Sequence, residues 1–331
     1  MKKIAVVILN WNGAKLLEQF LPSVVQYSPE AQIYVADNAS TDDSVVYIKS
    51  HFPTVSIIQN SGNFGFAKGY NEALMHVDSE IYALVNSDIE VTENWLKPII
   101  NAFDSQPETA IIQPKILDFK NKNYFEYAGA AGGFIDRFGY PFCRGRIFGT
   151  IEKDNLQYQD DMKIFWASGA CFFIRSKVYN ELQGFDADFF AHQEEIDLCW
   201  RAFNKGYFAK YVSGSVVYHV GGATLQEVNP KKTFLNFRNS LLMLTKNLPG
   251  HSLFLIVFLR LLLDGVAGIQ LLLQGKFSHC LAIIEAHFSF YAQFLQTYKK
   301  REKMQSAQYY RVQSIVYDYY LKRILTFKKL F

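Results

Sequence analysis

VVILNWNG, from Val6 to Gly13, closes an apolar, β-branched run that begins at Ile4 and breaks abruptly into polar turn residues. A short run of that kind reads as a strand buried on both faces. Helical spacing follows at once, with Leu16, Leu17, Phe20, Leu21, Val24 and Val25 along Ala14–Tyr27. A second strand, Ile33–Ala36, runs into Asp37-Asn38 of ADNAST (Ala36 to Thr41), where Thr41 or Asp42 is placed to cap a helix through Val45, Val46 and Ile48. Val55–Ile58, Phe66–Val77 and Ile81–Val85 continue as strand, helix and strand, and the last stops at Asn86-Ser87-Asp88. This alternation predicts an α/β fold with a mostly parallel sheet flanked by helices on both faces. Such sheets bind ligands beyond the carboxyl ends of their strands. The carboxylates after these runs, and those opening QEEIDLCWR (Gln193 to Arg201), therefore read as an enzyme that holds a charged nucleotide and does acid–base chemistry beside it.

Composition sets the frame for that reading. The chain has 331 residues, half of them hydrophobic, which is enough to bury a sizeable core in one large or two small domains. It excludes a disordered protein. A formal net charge of +3 gives no case for nucleic acid as a partner. Cys143, Cys171, Cys199 and Cys280 lack CxxC spacing and sit among apolar neighbours, so free buried thiols in a reducing compartment are expected rather than zinc ligands or disulfides. Met-Lys-Lys leads straight into Ile4–Leu9, shorter than a signal-peptide core and without a small-residue cleavage site, so a cytoplasmic start is expected.

From about Phe119 to Phe165 the rhythm is lost. Glycines crowd among aromatic and charged residues there, which suits loops and short hairpins over a site. Order returns with a strand at Cys171–Ile174, a helix to Leu182, a Gly184-Phe185-Asp186 turn, a helix from about Gln193 to Asn204, and a strand near Ser215–His219. Beyond Gly222 the character changes again. Phe234–Leu244 looks helical, and Leu253–Leu273 is almost wholly apolar, interrupted by Arg260, Asp264 and Gln270. Its length just suffices to span a bilayer, but two charges near its middle make a lipid-exposed span costly. An interfacial or re-entrant pair with Cys280–Phe294 is preferred to a span or a soluble bundle. Lys299, Lys300, Arg301, Lys303, Arg311, Lys322, Arg323, Lys328 and Lys329 then lie among aromatics, which suits an anionic membrane surface or, more plainly, a solvated face or a dimer contact.

Taken together, VVILNWNG, DNAST, GNFGFAKGYN (Gly62 to Asn71), NSD, WASGACFFIR (Trp166 to Arg175) and GFDADFFAHQEEIDLCWRAFNKGY (Gly184 to Tyr207), with His219 beyond, resemble the family 2 glycosyltransferases. The resemblance covers Lys3 to Gly222, and its finer flavour is rhamnosyltransferase-like or galactofuranosyltransferase-like. It implies a GT-A, Rossmann-like fold with residues 1–118 as the nucleotide-sugar-binding half and 119–225 as the acceptor-binding and catalytic half of one domain. Residues 226–331 would then form a helical, basic and aromatic region that associates with a membrane.

The resemblance also implies roles. Asp37 would accept from the base or ribose of the nucleotide, against its plain reading as a turn former, with Asn10 nearby among the donor contacts. Asn86-Ser87-Asp88 is similar to the family's DxD-type motif, in which the last acid coordinates Mg²⁺ or Mn²⁺ bridging the donor's phosphates. Asn86 and Ser87 depart from the acidic pattern, leaving Asp88 as the strong ligand and Asn86 as a donor contact. His219 matches a position that often supplies a second metal ligand, although a lone His on a strand is often structural. Glu195 aligns with the second acid of the family's ED motif, the general base, where Asp is usual and Glu reaches one methylene further. Glu194 and Asp197 stay open for that role. Asp197 also stands four residues before Arg201, an ion-pair spacing, and Glu194 sits at a helix start and among the substrate contacts. Asn63 and Lys68 are nucleotide or phosphate contacts, or a cap and a solvated lysine. Trp166 is a sugar platform on the acceptor side or a core residue.

The implied activity is inverting transfer of a sugar from a UDP- or dTDP-sugar to a hydroxyl of a glycan or lipid-linked glycan in cell-surface polysaccharide synthesis. It needs a divalent cation. Its place would be the inner face of the cell membrane, peripherally bound, with a homo-oligomer left open. A nucleotidyltransferase should show a Gly-rich, Lys-containing phosphate loop after the first strand, and Asn10-Trp11-Asn12-Gly13 is not one. A non-catalytic membrane-associated scaffold that binds glycan or nucleotide is the other alternative.

Overall fold

The computed structural model describes residues 2–221 and 229–331. Strand and helix alternate first: β1 (Ile4–Asn10), α1 (Ala14–Tyr27), β2 (Ala31–Asp37), α2 (Ser44–His51), β3 (Ser56–Gln59), α3 (Gly65–Leu74), β4 (Ile81–Asn86) and β5 (Ile89–Val91). Then come α4 (Leu96–Ser105), β6 (Thr109–Asp118), the short strands β7 (Gly133–Ile135), β8 (Pro141–Cys143), β9 (Arg146–Ile147), β10 (Thr150–Ile151) and β11 (Met162–Ile164), and β12 (Cys171–Arg175). The domain closes with α5 (Ser176–Glu181), α6 (Glu194–Asn204) and β13 (Phe208–His219). Four helices follow: α7 (Pro230–Asn247), α8 (Gly250–Leu273), α9 (Phe277–Lys299) and α10 (Ile315–Tyr320). The expected boundary at 225/226 lies outside the described residues.

A single sheet takes strands from both halves, in the order β11-β13-β6-β12-β4-β1-β2-β3 with β5 against β13. The β4-β1-β2-β3 side is parallel throughout, whereas β12 runs antiparallel between β4 and β6. Alternate residues of β1 enter opposite cores. Ala5 and Val7 pack with Tyr70 and Leu84, while Ile4, Val6 and Ile8 pack with Leu17, Leu21 and Trp95. That two-sided burial is the physical content of the unbroken apolar run. Strand β6 has no counterpart in the sequence reading, and Pro114 within it is a residue that central strands rarely hold. The structure accommodates it opposite a bulge. Pro114 pairs with Val212 and Lys115 already with Val216, so the neighbouring strand skips three residues where the proline has no N–H to offer. The same bulge makes β13 longer than its apolar end, Ser215–His219, announced.

The Gly-rich segment forms a small antiparallel sheet, β10-β9-β8-β7. The basic tail returns to this sheet and to α6: Phe327 packs on Phe134 and Phe142, Ile315 N donates to Asp136 Oδ2 (3.0 Å), and Tyr309 stacks on Trp200 of α6 at 4.8 Å. Much of the tail's aromatic content is thus used within the protein, while Lys299, Lys303, Lys322, Arg323, Lys328 and Lys329 stay exposed. All four cysteines are free, three buried and Cys280 partly so.

In α8 the two charges do not face outward, which corrects the objection raised from sequence. Arg260 and Asp264 are buried, paired with each other at 3.4 Å, and Arg260 also donates to Phe138 O (2.9 Å) and lies over the Tyr140 ring. Desolvation is offset inside the protein. The outer side of α8 carries exposed Leu255, Phe258, Leu262, Val266, Ile269 and Leu273 with Gln270 among them, and α9 continues it with Phe277, Leu281, Ile284, Phe288, Tyr291 and Leu295 beside exposed Glu285. Spacings of three and four residues place each set on one helix face. Among the described residues α8 is the one helix long and apolar enough to cross a membrane, with a hydropathy of 2.1.

Candidate active site

Strands β1, β2 and β4 end side by side at Asn10, Asp37 and Asn86, because the parallel register aligns Asn10 with Asp37 and Leu9 with Asn86. Asp37 is fully buried, and both its oxygens are taken. Oδ1 accepts from Asn10 Nδ2 (2.9 Å) and from Ser40 Oγ, and Oδ2 from Ser40 N (2.9 Å) and Gln59 Nε2 (2.7 Å). Its carboxylate faces no open surface. What it does in this structure is fix the Asn38–Thr41 turn and the side chain of Asn10, which is itself buried. Asn10 Oδ1 has no hydrogen-bond partner.

Next to Asn86 lies a second carboxylate. Strand β5 pairs with the end of β13, His219 opposite Ile89, which brings Asp88 Oδ1 within 3.1 Å of His219 Nε2. Glu126 Oε1 stands 3.1 Å behind, at His219 Nδ1, off the line that a good hydrogen bond takes. All three side chains are buried. Burial opposes the charged imidazole, yet Glu126 and Asp88 outweigh it and raise His219 to about 10. A carboxylate behind one ring nitrogen, with the other nitrogen beside an acid, is the arrangement that orients a histidine ligand toward a metal. Among the described residues no third His, Cys, Asp or Glu converges on the same point. Asp88 and His219 thus fit a divalent cation that takes its remaining ligands from phosphate oxygens and water.

The third component opens α6. Three departures within four residues precede it: Phe190 (φ 63°), His192 (φ 71°) and Gln193 (φ 73°) hold positive φ although none is glycine. Strain of this kind persists only where surroundings impose it. Glu194 is buried and Glu195 partly so, and the Oε2 of each lacks a partner. Burial raises both carboxyls, and their mutual repulsion raises Glu194 further. Glu195 abuts Gly169, in the turn whose Ala170 O accepts from Asn86 N at 2.9 Å, so it shares the sheet edge with Asn86 and Asp88. Asp197 is committed elsewhere. It takes Arg201 Nε (2.8 Å), Lys246 Nζ (2.9 Å) and Asn247 Nδ2 (2.8 Å).

Residues 5–183 match the model of glycosyl transferase family 2. The chain belongs to that family. As a family 2 protein it is a glycosyltransferase, and its relatives are distant. It is 21% identical over 231 residues to the N-acetylglucosaminyl-diphospho-decaprenol L-rhamnosyltransferase of Mycobacterium tuberculosis, covering 65% of this chain and 75% of that one. It is 23% identical over 225 residues to the rhamnosyltransferase WbbL of Escherichia coli, covering 65% and 83%. Among solved structures it superposes on GalNAc-T7 with UDP, GalNAc and Mn²⁺ at a TM-score of 0.59 and 17% identity, over 76% of this chain and about half (49%) of that one. Likeness at that identity establishes a shared GT-A fold.

Other residues expected at the site of this family 2 enzyme lie differently. Trp166 is a core residue, a correction to its reading as a sugar platform: it is 2% exposed, donates from Nε1 to Phe134 O (2.8 Å), and its ring fills the space where Gly133 has no Cβ. Asn63 is exposed and accepts from Gly65 N (3.1 Å), and Lys68 is exposed over the Phe64 ring. Two residues at the site escape the sequence reading. Trp11 stands 49% exposed beside Asn10, an aromatic surface at a polar strand end and hence a legible signal for a planar ligand. Glu126 carries no such signal, being one acid in an irregular stretch.

Proposed function

We propose that this glycosyltransferase transfers a sugar with inversion from a UDP- or dTDP-linked donor to a hydroxyl of a lipid-linked glycan at the inner face of the cell membrane. The observation that carries this is the single sheet edge shared by the Asp88–His219 pair, backed by Glu126, and Glu195, whose Oε2 has no partner. Asn10, Asn86, Asn63, Lys68, Glu194 and Trp11 line or approach the donor side, and Asp37 acts by holding Asn10 and the Ser40 turn. A divalent cation, when bound, offsets the charge that develops on the leaving diphosphate. Asp88 and His219 are the residues to hold it.

Glu195 takes the proton of the acceptor hydroxyl as its oxygen attacks the anomeric carbon. The bond from that carbon to the diphosphate oxygen breaks on the opposite face, with its electron pair, and one displacement inverts the centre. A base buried enough to be raised toward the working pH suits that transfer. The donor half is tested by thermal stabilisation with UDP, dTDP, GDP and CDP, with and without Mn²⁺. One diphosphate is expected to stabilise the protein only with metal, and at a hundred times its Kd by about 2.7 kcal/mol. Asp88→Ala should abolish the metal-dependent part. Equal stabilisation without metal would remove the Asp88–His219 assignment.

The membrane half rests on the apolar outer side of the α8–α9 pair, flanked by exposed Lys276 and Lys299 and followed by the exposed tail cations. Such a surface lies in the plane of an anionic interface rather than across it, since the inner side of α8 is packed on the domain. The wild type should float with vesicles containing anionic lipid. A Phe258→Glu, Leu262→Glu, Phe288→Glu triple variant should stay in solution yet retain its diphosphate response. A wild-type protein that remains with the soluble fraction, or forms a dimer through this face, would contradict the membrane assignment.

A further inference from the structure

The turn that delivers Glu195 is held by a residue from outside the region that matches the family. Asn239, in the middle of α7, is fully buried although its polar side chain suits a helix interior poorly. Its Nδ2 faces three carbonyls of one turn, Phe189 O (3.0 Å), Ala191 O (2.9 Å) and His192 O (2.7 Å). Its Oδ1 accepts from Arg238 Nε (2.9 Å), and Arg238 Nη2 reaches Asp188 O (3.1 Å) and Phe189 O (3.2 Å). The carbonyl left over, Phe190 O, points the other way and accepts from Phe66 N (2.8 Å) and Ala67 N (3.3 Å) at the start of α3. Gly65 (φ 71°) permits that approach, since a Cβ there would lie 2.7 Å from Phe190 O. The turn is therefore slung between the donor-side helix α3 and the C-terminal helix α7, and Glu194 and Glu195 follow it directly. Positive φ at Phe190, His192 and Gln193 is what turns these carbonyls to opposite sides.

We infer that Asn239 is the positioning residue for the base: it fixes the strained 189–193 turn, and through it the placement of Glu195 at the sheet edge. This rests on Glu195 being the base. Without the Asn239 donor the Ala191 and His192 carbonyls lose this partner, while Phe189 O keeps Arg238 Nη2, and the turn relaxes toward ordinary dihedrals. A displacement of the order of 1 Å at a base costs about a hundredfold in rate. Asp88, His219 and Asn10 have no bond to this turn, and the Phe190 O bonds to α3 do not involve Asn239, so the metal-dependent hold on the donor stays as it was.

The experiment compares Asn239→Leu, near in shape and without donors, with Asn239→Asp, Leu242→Ala and Glu195→Gln in steady-state kinetics well below each Tm. Asn239→Leu and Asn239→Asp should lower kcat about ten- to a hundredfold with donor KM and the diphosphate thermal shift unchanged. The acid limb of their pH profiles should move toward an ordinary carboxylate value as the base becomes more solvated. Leu242→Ala, a buried α7 residue without bonds to the turn, should lose stability and keep its kcat and pH profile. If Asn239→Leu does not fold, Arg238→Met carries the same comparison with a smaller fall, because it removes the bonds to Asp188, Phe189 and Asn239 Oδ1 but leaves the Asn239 donor in place. Wild-type kcat and pH profile in the folded variants, with Glu195→Gln inactive, would overturn the inference alone. Full activity in Glu195→Gln would overturn the base assignment first, and this role with it.

Discussion

Glu195→Gln is expected to lower kcat by about 10²- to 10⁴-fold, the range for loss of a general base, while donor affinity and fold remain. Glutamine fills the same volume beside Gly169 but takes no proton. Stability should hold or rise. Burial raises the Glu195 carboxyl, so between its unfolded value near 4.5 and its folded value the native state binds more protons than the unfolded one. Its contribution is therefore greatest below 4.5 and is lost as pH rises through the folded value, so at neutral pH the ionised side chain is a net cost that glutamine removes. The same shift predicts that wild-type kcat/KM falls on the acid side with an apparent pKa above 4.5, shared by the Glu194–Glu195 pair because the two titrate together. An acid limb at or below 4.5, or a glutamine variant with near-normal kcat, would place the base elsewhere.

What the sequence made legible follows from range of interaction. The parallel core could be read because each β1 residue is buried against one of two cores, which leaves an unbroken apolar run. Helix α6 and its Asp197–Arg201 pair could be read because their spacing is local. Strand β6 escaped that reading, and the cost of its Pro114 is absorbed by a bulge in another strand some hundred positions along, β13. Glu126 and Asn239 depend on the same kind of distant contact. Each acts on a partner that only the fold brings near, His219 in one case and the 189–193 turn in the other. For Trp166 the sequence left two readings open, and Gly133, with its ring-sized gap, decides for the core. Arg260 and Asp264 read as obstacles to lipid contact because composition records that a helix carries charges, not which side they occupy.

Asp197→Ala should destabilise the protein by about 3–5 kcal/mol, the cost of stranding buried partners of an ion cluster. Asp197 has no exposed surface, and it lies between Arg201 (8% exposed) and Lys246 (5%) with Asn247 as its third partner. Alanine leaves Arg201 with the carbonyls of Leu182 and Gly184, and Lys246 with Asp186 alone. Two cations then face each other across the vacated space. The effect reaches beyond packing because Lys246 and Asn247 end α7, the helix that carries Asn239, while Asp186 opens the segment leading to the Glu195 turn. Lys300, from the end of α9, completes the cluster on Asp186 and Asp188 at 2.7 Å each. Desolvation opposes ionisation of Asp197, but Lys246 and Arg201 outweigh it and hold the carboxyl below its usual 3.8. A depressed carboxyl contributes its stability at every pH above the unfolded value and loses it only as pH falls through the folded one. The difference in stability between wild type and Asp197→Ala, followed by urea unfolding, should therefore stay constant from neutral pH down to about 4 and narrow below it. A difference under about 1 kcal/mol, the scale of an exposed pair, would mean that water reaches the cluster and that α7 is not locked to α6.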